Sequence, residues 1–352
     1  MKYINILLFV SFLHTGFLIS AQKSKNENKL KPIDSLTKKM TKHSGLITTY
    51  QEDDNVFLEL SDSLLEKDLL MVTRFVHLPA NYQAYINAGS KTSQQLIHFK
   101  KKGKQILLTQ ESFVNFANEE DPISQSVKLN NFPPILAAFP IKNSEENRYL
   151  IDVSSYFNND SPGFNIIRKS LKKEYSIGSN DSKRSFIDSV KSFPENIEIR
   201  HTLTYNLGKP PRGNTANTMS FQVNHSIIAL PETPMSIRYS DQRVGWFSLN
   251  KYNYSSDALK SDNIRIIRRW RLEPTNLEAY NRGELVDPIK PIIYYLDPAT
   301  PMKWRPYFKQ GIEDWAKVFE KAGFKNAIIA KDPPTKEEDP NFSPEDIRYS
   351  TV

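Results

Sequence analysis

The strongest constraint on the fold is a strict alternation of side chains in two segments that flank a loop rich in glycine, proline and asparagine. A period of two is typical of a β-strand with one buried face. The loop runs from Gly208 to Thr218, so the two segments are predicted to form a long antiparallel hairpin. The residues that share the apolar faces are Ile197, Ile199, His201, Leu203 and Tyr205 in the first segment, and Phe221, Val223, His225 and Ile227 in the second.

Shorter stretches with the same period extend the β-rich character to most of the chain before residue 231. Lys101–Lys104 contains Gly103 between two of them, which indicates a hairpin turn. One short helix is predicted at Asp181–Ser192, ended by Pro194. The additional strands are predicted at Gly45–Gln51, Val56–Leu60, Leu69–Val76, Gln95–Lys100, Gln105–Thr109, Ile135–Ile141 and Arg148–Val153.

The last 60 or so residues have a different pattern, that of strand, helix and strand. Strands are predicted at Ile292–Leu296 and Asn326–Ala330, followed by an acidic, proline-containing loop and a third strand from Ile347. A parallel crossover needs further strands to complete its sheet. Because the third strand reaches Val352 without a turn or cap, we expect residues 291–352 to be the opening of a longer domain. The helix is predicted to begin near Arg305 and end at Gly323, with one apolar face made of Phe308, Ile312, Trp315, Phe319 and Ala322.

The first 21 residues have the organisation of a secretory signal peptide. Lys2 precedes an apolar stretch from Ile4 to Ile19, and Ser20-Ala21 offers a small-residue cleavage site. The alternative is an uncleaved anchor, but the stretch is shorter than the roughly 20 apolar residues that a membrane span requires. We expect an exported protein, periplasmic or secreted, with a flexible lead-in over residues 22–44 and no stable membrane span after cleavage.

Composition excludes several chemistries. The chain contains no cysteine, which rules out disulfide scaffolds, cysteine-ligated zinc, iron–sulfur clusters and thiol nucleophiles. The net charge is +7 over 352 residues, without a concentrated basic stripe, so nucleic acid is not an expected partner.

Several longer strings resemble the N-terminal part of a family of exported bacterial zinc-dependent metalloproteases. That family carries two poorly characterised β-rich domains before a metzincin-like catalytic domain. The strings that carry the resemblance are Gly45–Arg74, Phe132–Ile141, Ser192–Ile199, Leu230–Phe247, Ile267–Leu272, Tyr294–Phe324 and Phe342–Tyr349. The resemblance implies an α+β fold: a small β-rich domain at residues 45–84, a second at 85–290, and an incomplete α/β metzincin-like segment at 291–352.

The resemblance implies zinc and a protein or peptide substrate for the full-length family, but no catalytic or metal site in this chain. The family's signature is similar to H-E-x-x-H-x-x-G-x-x-H, in which three histidines bind zinc and the glutamate is the general base. No two histidines here lie within five residues of each other, so no residue of the signature can be carried over and the chain alone is expected to be inactive. The six histidines are His14, His43, His77, His98, His201 and His225.

The predicted hairpin brings His201 and His225 together. With the loop midpoint at residue 213, they face each other across the hairpin. They could be two ligands of a metal, or two half-buried imidazoles hydrogen-bonded to neighbours. Two ligands do not make a zinc site, so the structural role is favoured.

Three other charged groups have two interpretations each. The arginines around Trp270 could bind nucleic acid, but the alternation from Ile264 to Leu272 favours a half-buried strand with a solvated basic side. Asp241 and Arg243 could face a substrate groove or form a structural ion pair, and both remain open. The acidic residues Glu337, Glu338, Asp339, Glu345 and Asp346 lack a calcium-loop pattern and predict a solvated loop.

Two functions follow as hypotheses. The first is the N-terminal portion of an exported zinc-dependent metalloprotease. The second is an exported non-enzymatic protein that binds a partner or acts as a protease accessory.

Overall fold

The computed structural model describes residues 32–82 and 85–352. The predicted signal peptide and residues 22–31 of the lead-in lie outside these residues. The strands are β1 (Thr41–His43), β2 (Thr48–Glu52), β3 (Asn55–Ser61), β4 (Leu69–His77), β5 (Lys91–Lys102), β6 (Gln105–Glu111), β7 (Asn115–Phe116), β8 (Ile135–Glu145), β9 (Arg148–Asp152), β10 (Ile177–Asn180), β11 (Phe186–Ser192), β12 (Asn196–Leu207), β13 (Thr218–Ala229), β14 (Ser248–Asn253), β15 (Asp262–Ile267), β16 (Ile292–Tyr295), β17 (Ile328–Lys331) and β18 (Ser350–Thr351).

Helices are few and short, so the α+β fold is dominated by strands, as predicted. Within the predicted lead-in, residues 32–44 contain the short helix α1 and the edge strand β1. The helices are α1 (Ile33–Thr37), α2 (Ile123–Leu129), α3 (Ser154–Phe157), α4 (Lys169–Glu174), α5 (Leu277–Asn281), α6 (Arg305–Glu313) and α7 (Ala316–Lys321).

Twelve strands form one antiparallel sheet in the order β1-β2-β3-β9-β8-β6-β5-β4-β13-β12-β10, and β11 pairs with the other half of β12. Strands from both predicted N-terminal domains contribute, because β3 pairs with β9, and β4 pairs with β5 and β13. Their inward side chains share one apolar core. The predicted domain boundaries themselves stay predictions.

The two ends of this sheet meet along a seam, defined here as residues 45–51 against residues 190–193. The Leu46 amide donates to the Phe193 carbonyl at 2.7 Å, and the Ser192 hydroxyl donates to the Ile47 carbonyl at 2.6 Å. The Val190 amide donates to Oε1 of Gln51 at 3.2 Å. The sheet therefore curls into a nearly closed barrel, which satisfies backbone groups that an open edge would leave unpaired.

The predicted helix at 181–192 is wrong. Apart from one short turn at Ser182–Arg184, this stretch is strand β11, paired with β12. The register shifts between Ile187 and Ser189, which marks a β-bulge. The extra residue puts Ile187 and Val190 on the same buried side at a spacing of three, which imitates the period of a helix.

The predicted hairpin of β12 and β13 is confirmed, but its register differs. His201 pairs with Val223, and His225 pairs with Ile199, so the loop is centred on residue 212 and not 213. Moving the midpoint by one residue shifts the pairing by two, and a shift of two keeps every side chain on its predicted face. The two histidines are therefore diagonal neighbours on the buried face rather than direct partners.

The C-terminal strand–helix–strand unit is also confirmed. β16 lies between β17 and β18 and pairs with both in parallel. The predicted single helix is divided into α6 and α7 at Asp314–Trp315, and Gly323 ends it at a φ of +91°, where a Cβ would lie 2.6 Å from Cε2 of Tyr280. No helix in residues 32–82 and 85–352 is long and apolar enough to cross a membrane.

Candidate functional site

A groove of about 1120 Å³ lies between residues 235–246, residues 267–274 and the helices α6 and α7. We call it the aromatic groove, because its walls carry Tyr239, Trp246, Trp270, Tyr294, Trp315 and Phe319. Four of these side chains are more than half exposed: Tyr239 at 62%, Trp246 at 52%, Trp270 at 51% and Trp315 at 60%. Exposed aromatic side chains that cluster in one concave surface are typical of a binding site, whereas single apolar residues scattered over a surface are not.

The wall at residues 235–246 is held by backbone contacts with the chain around β15. The Ser240 amide donates to the Arg265 carbonyl at 2.7 Å, and the Ile267 amide donates to the Arg238 carbonyl at 3.0 Å. The Trp246 indole donates to the Arg268 carbonyl at 2.5 Å. Because these hydrogen bonds fix both segments, the aromatic side chains of this wall are preorganised.

The half-buried strand predicted from Ile264 to Leu272 is wrong beyond Ile267, where β15 ends. Residues 268–272 follow the groove in an irregular conformation, and Trp270 is 51% exposed against the edge of Tyr294, with ring centroids 6.1 Å apart. The alternation continues in the sequence after the pairing partner has ended, because Ser248, the first residue of β14, pairs with Ile267. A period of two therefore does not by itself establish a strand.

The opposite wall is the apolar face predicted for the C-terminal helix. Ile312, Trp315, Phe319 and Ala322 all line the groove. Their spacing is that of a buried helical face, yet Trp315 and Ala322 are exposed and the other two are half-buried. Phe319 packs against the small core that contains Phe324, so only part of this apolar face is open to water.

The arginines near Trp270 divide into two pairs. Arg269 donates to the Ser236 carbonyl at 2.8 Å, and Arg271 donates to the Thr233 carbonyl at 2.7 Å, so both hold the chain before the groove. Arg238 and Arg268 also line the groove, and within the described part of the chain their guanidinium groups have no hydrogen bond or ion pair. The groove therefore combines aromatic walls with two available positive charges.

Asp241 and Arg243 form the ion pair that was one of the two interpretations left open by the sequence. Arg243 donates to Asp241 through Nε at 2.9 Å and through a terminal nitrogen at 2.7 Å, and Asp241 also lines the groove. Hydrogen bonds from Arg243 lower the pKa of the Asp241 carboxyl. The carboxylate is therefore ionised and already engaged by its neighbour, which makes it a poor proton acceptor.

The histidine pair lies in the barrel core and far from solvent. His201 and His225 are each 0% exposed, with their Nε2 atoms 2.7 Å apart, and Nδ1 of His225 lies 2.8 Å from the Thr73 hydroxyl. Phe157 and Phe164 pack against both rings. The imidazoles are thus fully buried, where half-buried ones were predicted.

Burial also fixes the protonation of this pair. It lowers the pKa of His201 to about 3. Burial and then the charge of His201 lower the pKa of His225 well below its usual value. Both rings are neutral near pH 7, so one nitrogen of the contact donates and the other accepts.

The pair does not fit the zinc ion that the family resemblance implies. Two imidazole nitrogens on one tetrahedral zinc lie about 3.3 Å apart, since each Zn–N bond is about 2.0 Å. The observed 2.7 Å is that of a direct hydrogen bond. Among residues 32–82 and 85–352, no three or more histidine, aspartate or glutamate side chains form a group that could hold a metal.

The acidic loop is only partly solvated, which corrects the prediction. Glu337 and Glu338 are exposed, but Asp346 is 0% exposed and bonded to Arg348 through both carboxylate oxygens. Glu345 makes ion pairs with Lys191 and Arg200 on the barrel. The partners of Glu345 are distant in sequence, so no local pattern could have indicated them.

Comparison with known families assigns two segments of the chain. Residues 30–77 match a domain of unknown function, DUF5118, and residues 89–275 match a second domain of unknown function, DUF5117. No curated protein and no solved structure matches the chain. Since the second match covers just over half of the 352 residues, the chain belongs to the DUF5117 family of domains of unknown function.

Proposed function

We propose that this chain is the non-catalytic N-terminal portion of an exported zinc-dependent metalloprotease. In that protein, residues outside this sequence bind the zinc and hydrolyse the peptide bond. The observation that carries the proposal is the small parallel sheet of β16, β17 and β18 beside an exposed apolar helical face. It agrees with the family strings at Tyr294–Phe324 and Phe342–Tyr349.

The physical argument starts from the usual surroundings of parallel strands. Parallel sheets occur almost only where both faces are covered by other elements. Here β18 contributes two residues to the pairing, and Trp315 in the adjacent wall is 60% exposed. A three-stranded parallel sheet with such a neighbour is what the first part of a larger α/β domain presents.

In this proposal the barrel of β1–β6 and β8–β13 is a support and the aromatic groove is an internal joint. Arg238 and Arg268, which have no partner among the described residues, would meet acidic groups of the rest of the catalytic domain. The groove would then be closed by the same polypeptide and not by the substrate.

Zinc content and peptidase activity of purified residues 22–352 test this function. We expect less than stoichiometric zinc after dialysis and no cleavage of casein above background. The matched sample is the product of the reading frame extended downstream of Val352, in which we expect an H-E-x-x-H helix, bound zinc and turnover. Stoichiometric zinc with casein cleavage by residues 22–352 alone would overturn the proposal.

A second function is favoured by the free groove itself: an exported binding or protease-accessory protein without enzymatic activity. It predicts a stop codon directly after Val352 and a monodisperse, protease-resistant product. The first function predicts a product that self-associates through its open apolar wall. Size-exclusion chromatography with light scattering distinguishes the two.

A further inference from the structure

Two polar residues of β12 are buried although they point out of the barrel. Ile197 and Ile199 belong to the barrel core, so the alternating residues Asn196 and Glu198 face outward. Even so, Asn196 is 0% exposed and Glu198 is 5% exposed. A cover outside the barrel must therefore lie over them.

That cover is the segment 345–347. The Asn196 amide donates to the Glu345 carbonyl at 2.9 Å, and the Ile347 amide donates to the Asn196 side-chain carbonyl at 3.2 Å. Arg200, two residues beyond Glu198 on the same face, pairs with the Glu345 carboxylate at 2.5 Å. Because both neighbours of Glu198 on this face bond to Glu345, Glu345 lies across Glu198.

Glu198 in turn orients the groups that hold the segment. Its Oε1 accepts from the Asn196 amide at 2.6 Å, which aims the other atoms of that amide at the segment. Its Oε2 accepts from the Ser226 hydroxyl at 2.8 Å and from the Asn224 amide. The Asn224 side-chain oxygen is buried without a hydrogen-bond partner among the described residues, so a rotated Asn224 amide could accept a hydrogen bond from the protonated Glu198 carboxyl.

The surroundings favour the protonated carboxyl. Burial raises the pKa of Glu198 to about 7 against the lowering effect of its three hydrogen bonds, and the charge of Glu345 raises it further. The charged residues on the elements around this position are Lys191 on β11, Arg200 on β12, Arg74 on β4, and Glu345, Asp346 and Arg348 on the covering segment; the β13 neighbours, Asn224 and Ser226, are uncharged.

We propose that Asn196 and Glu198 form a proton-controlled latch that holds residues 345–347 on the barrel when Glu198 is protonated and releases them when it is ionised. Undocking would expose Glu198 to water, where the ionised form is favoured. By linkage, a proton that binds more tightly in the docked state must stabilise that state.

The latch connects parts of the molecule that have separate cores. The barrel core includes Ile197 and Ile199, whereas Val286, Phe324 and Ala327 belong to a second core beside the parallel sheet. Residues 345–347 lead directly into β18, which pairs with β16. Release of the segment would therefore loosen the parallel sheet from the barrel, whatever reaction the full protein carries out.

Hydrogen exchange of the Ile347 amide, corrected for its intrinsic rate, tests the latch in the chain as it exists. Between pH 5.5 and pH 7.5, we expect the protection of this amide to fall by roughly tenfold or more, since linkage allows up to tenfold per pH unit between the two pKa values of Glu198. The amides of β13 serve as an internal reference and should stay protected over this range. Unchanged protection of Ile347 in the wild type would overturn the proposal without any variant.

Two substitutions make the test specific. In Glu198→Gln the protection of Ile347 should vary less than twofold with pH, because the titrating group is gone. Asp188→Asn on β11 is the matched control, since Asp188 bonds to Thr202 and not to the segment, and it should keep the wild-type dependence. If Glu198→Gln retained the full pH dependence while β13 stayed protected, another group would control the segment and the latch would be refuted.

Discussion

The barrel and the C-terminal parallel sheet differ in how fully they bury their own apolar side chains. The barrel closes on its own seam, and its largest inward side chains, Tyr205 and Phe221 among them, are essentially inaccessible. The parallel sheet has three strands, a small core and an adjoining helical wall in which Trp315 is exposed. The same chain thus contains one unit that buries its apolar groups internally and another that leaves them available to a partner.

This difference shows that apolar content and apolar burial are separate properties. The alternation on β12 and the stripe on α6 and α7 are equally regular in sequence, but only the first has a complete set of neighbours. Closure of an antiparallel sheet removes its edges, while a parallel sheet depends on layers supplied from elsewhere. Substitutions in the two regions test this difference in burial.

Phe221→Ala should have the largest effect. Phe221 is 0% exposed and packs against Phe75, Tyr82 and Tyr205, with ring centroids 5.1–6.0 Å apart. Truncation of such a side chain costs about 3–5 kcal/mol, measured as the free energy of unfolding in urea. Phe308→Ala on α6, where the ring is 48% exposed, should cost less than about 1 kcal/mol. Equal losses in the two variants would contradict the contrast between the regions.

Gly45→Ala tests the seam of the barrel. An added Cβ would lie 2.4 Å from the Phe193 carbonyl oxygen. Because this contact is with backbone atoms, the clash cannot be relieved by rotating a side chain. We expect a loss of about 1–3 kcal/mol in the free energy of unfolding. Gly245→Ala in the groove wall meets no atom within 4 Å and should change stability by less than about 0.5 kcal/mol. If Gly45→Ala left the free energy of unfolding unchanged, the stability of the barrel would not depend on this contact.

His201→Gln tests the neutral histidine pair. The folded-state pKa of His201 is about 3, below the value near 6.5 in the unfolded chain. Between pH 6.5 and pH 3, His201 is protonated in the unfolded chain but stays neutral in the folded chain. The free energy of unfolding therefore decreases as the pH falls from about 6.5 toward 3. Relative to the variant, the wild type should lose about 1.4 kcal/mol between pH 7.5 and 5.5. His77→Gln, at an exposed imidazole, is the control for the loss of a histidine outside the core.

Trp315→Ser should have the smallest effect on stability. With 60% of its surface exposed, the indole contributes little to the folded chain, and we expect a change within about 0.5 kcal/mol. The same substitution should lower the fluorescence of a dye that binds exposed apolar surface, because it removes part of the groove wall. A large loss of stability with unchanged dye binding would show that the wall is already packed.

Much of the barrel could be predicted because its signals are local. The hairpin of β12 and β13 and the faces of His201 and His225 follow from a period of two and one loop. The strand β11 could not be predicted, since its bulge gives Ile187 and Val190 a helical spacing. Long-range partners could not be predicted from the sequence either. Nothing near Glu198 indicates that Glu345, 147 positions later, lies over it.

The candidate site was predicted only in fragments. Trp270, its arginines and Asp241 were each singled out, but their meeting with Trp315 and Phe319 depends on how the C-terminal sheet sits beside them. The sequence predicted a strand through Trp270 because alternation reports a side-chain pattern and not the presence of a pairing neighbour. Arg238 gave no signal, since its lack of a partner appears only in three dimensions.

The seam also has a kinetic consequence. Leu46 bonds to Phe193, and β4 reaches its second neighbour only when β13, ending at Ala229, is available. Contacts between such distant positions require the closure of long loops, which costs conformational entropy before the contacts stabilise the chain. They therefore slow folding. The barrel cannot be completed during synthesis until β13, which ends at Ala229, has been made. Until then β4 lacks one of its two neighbouring strands.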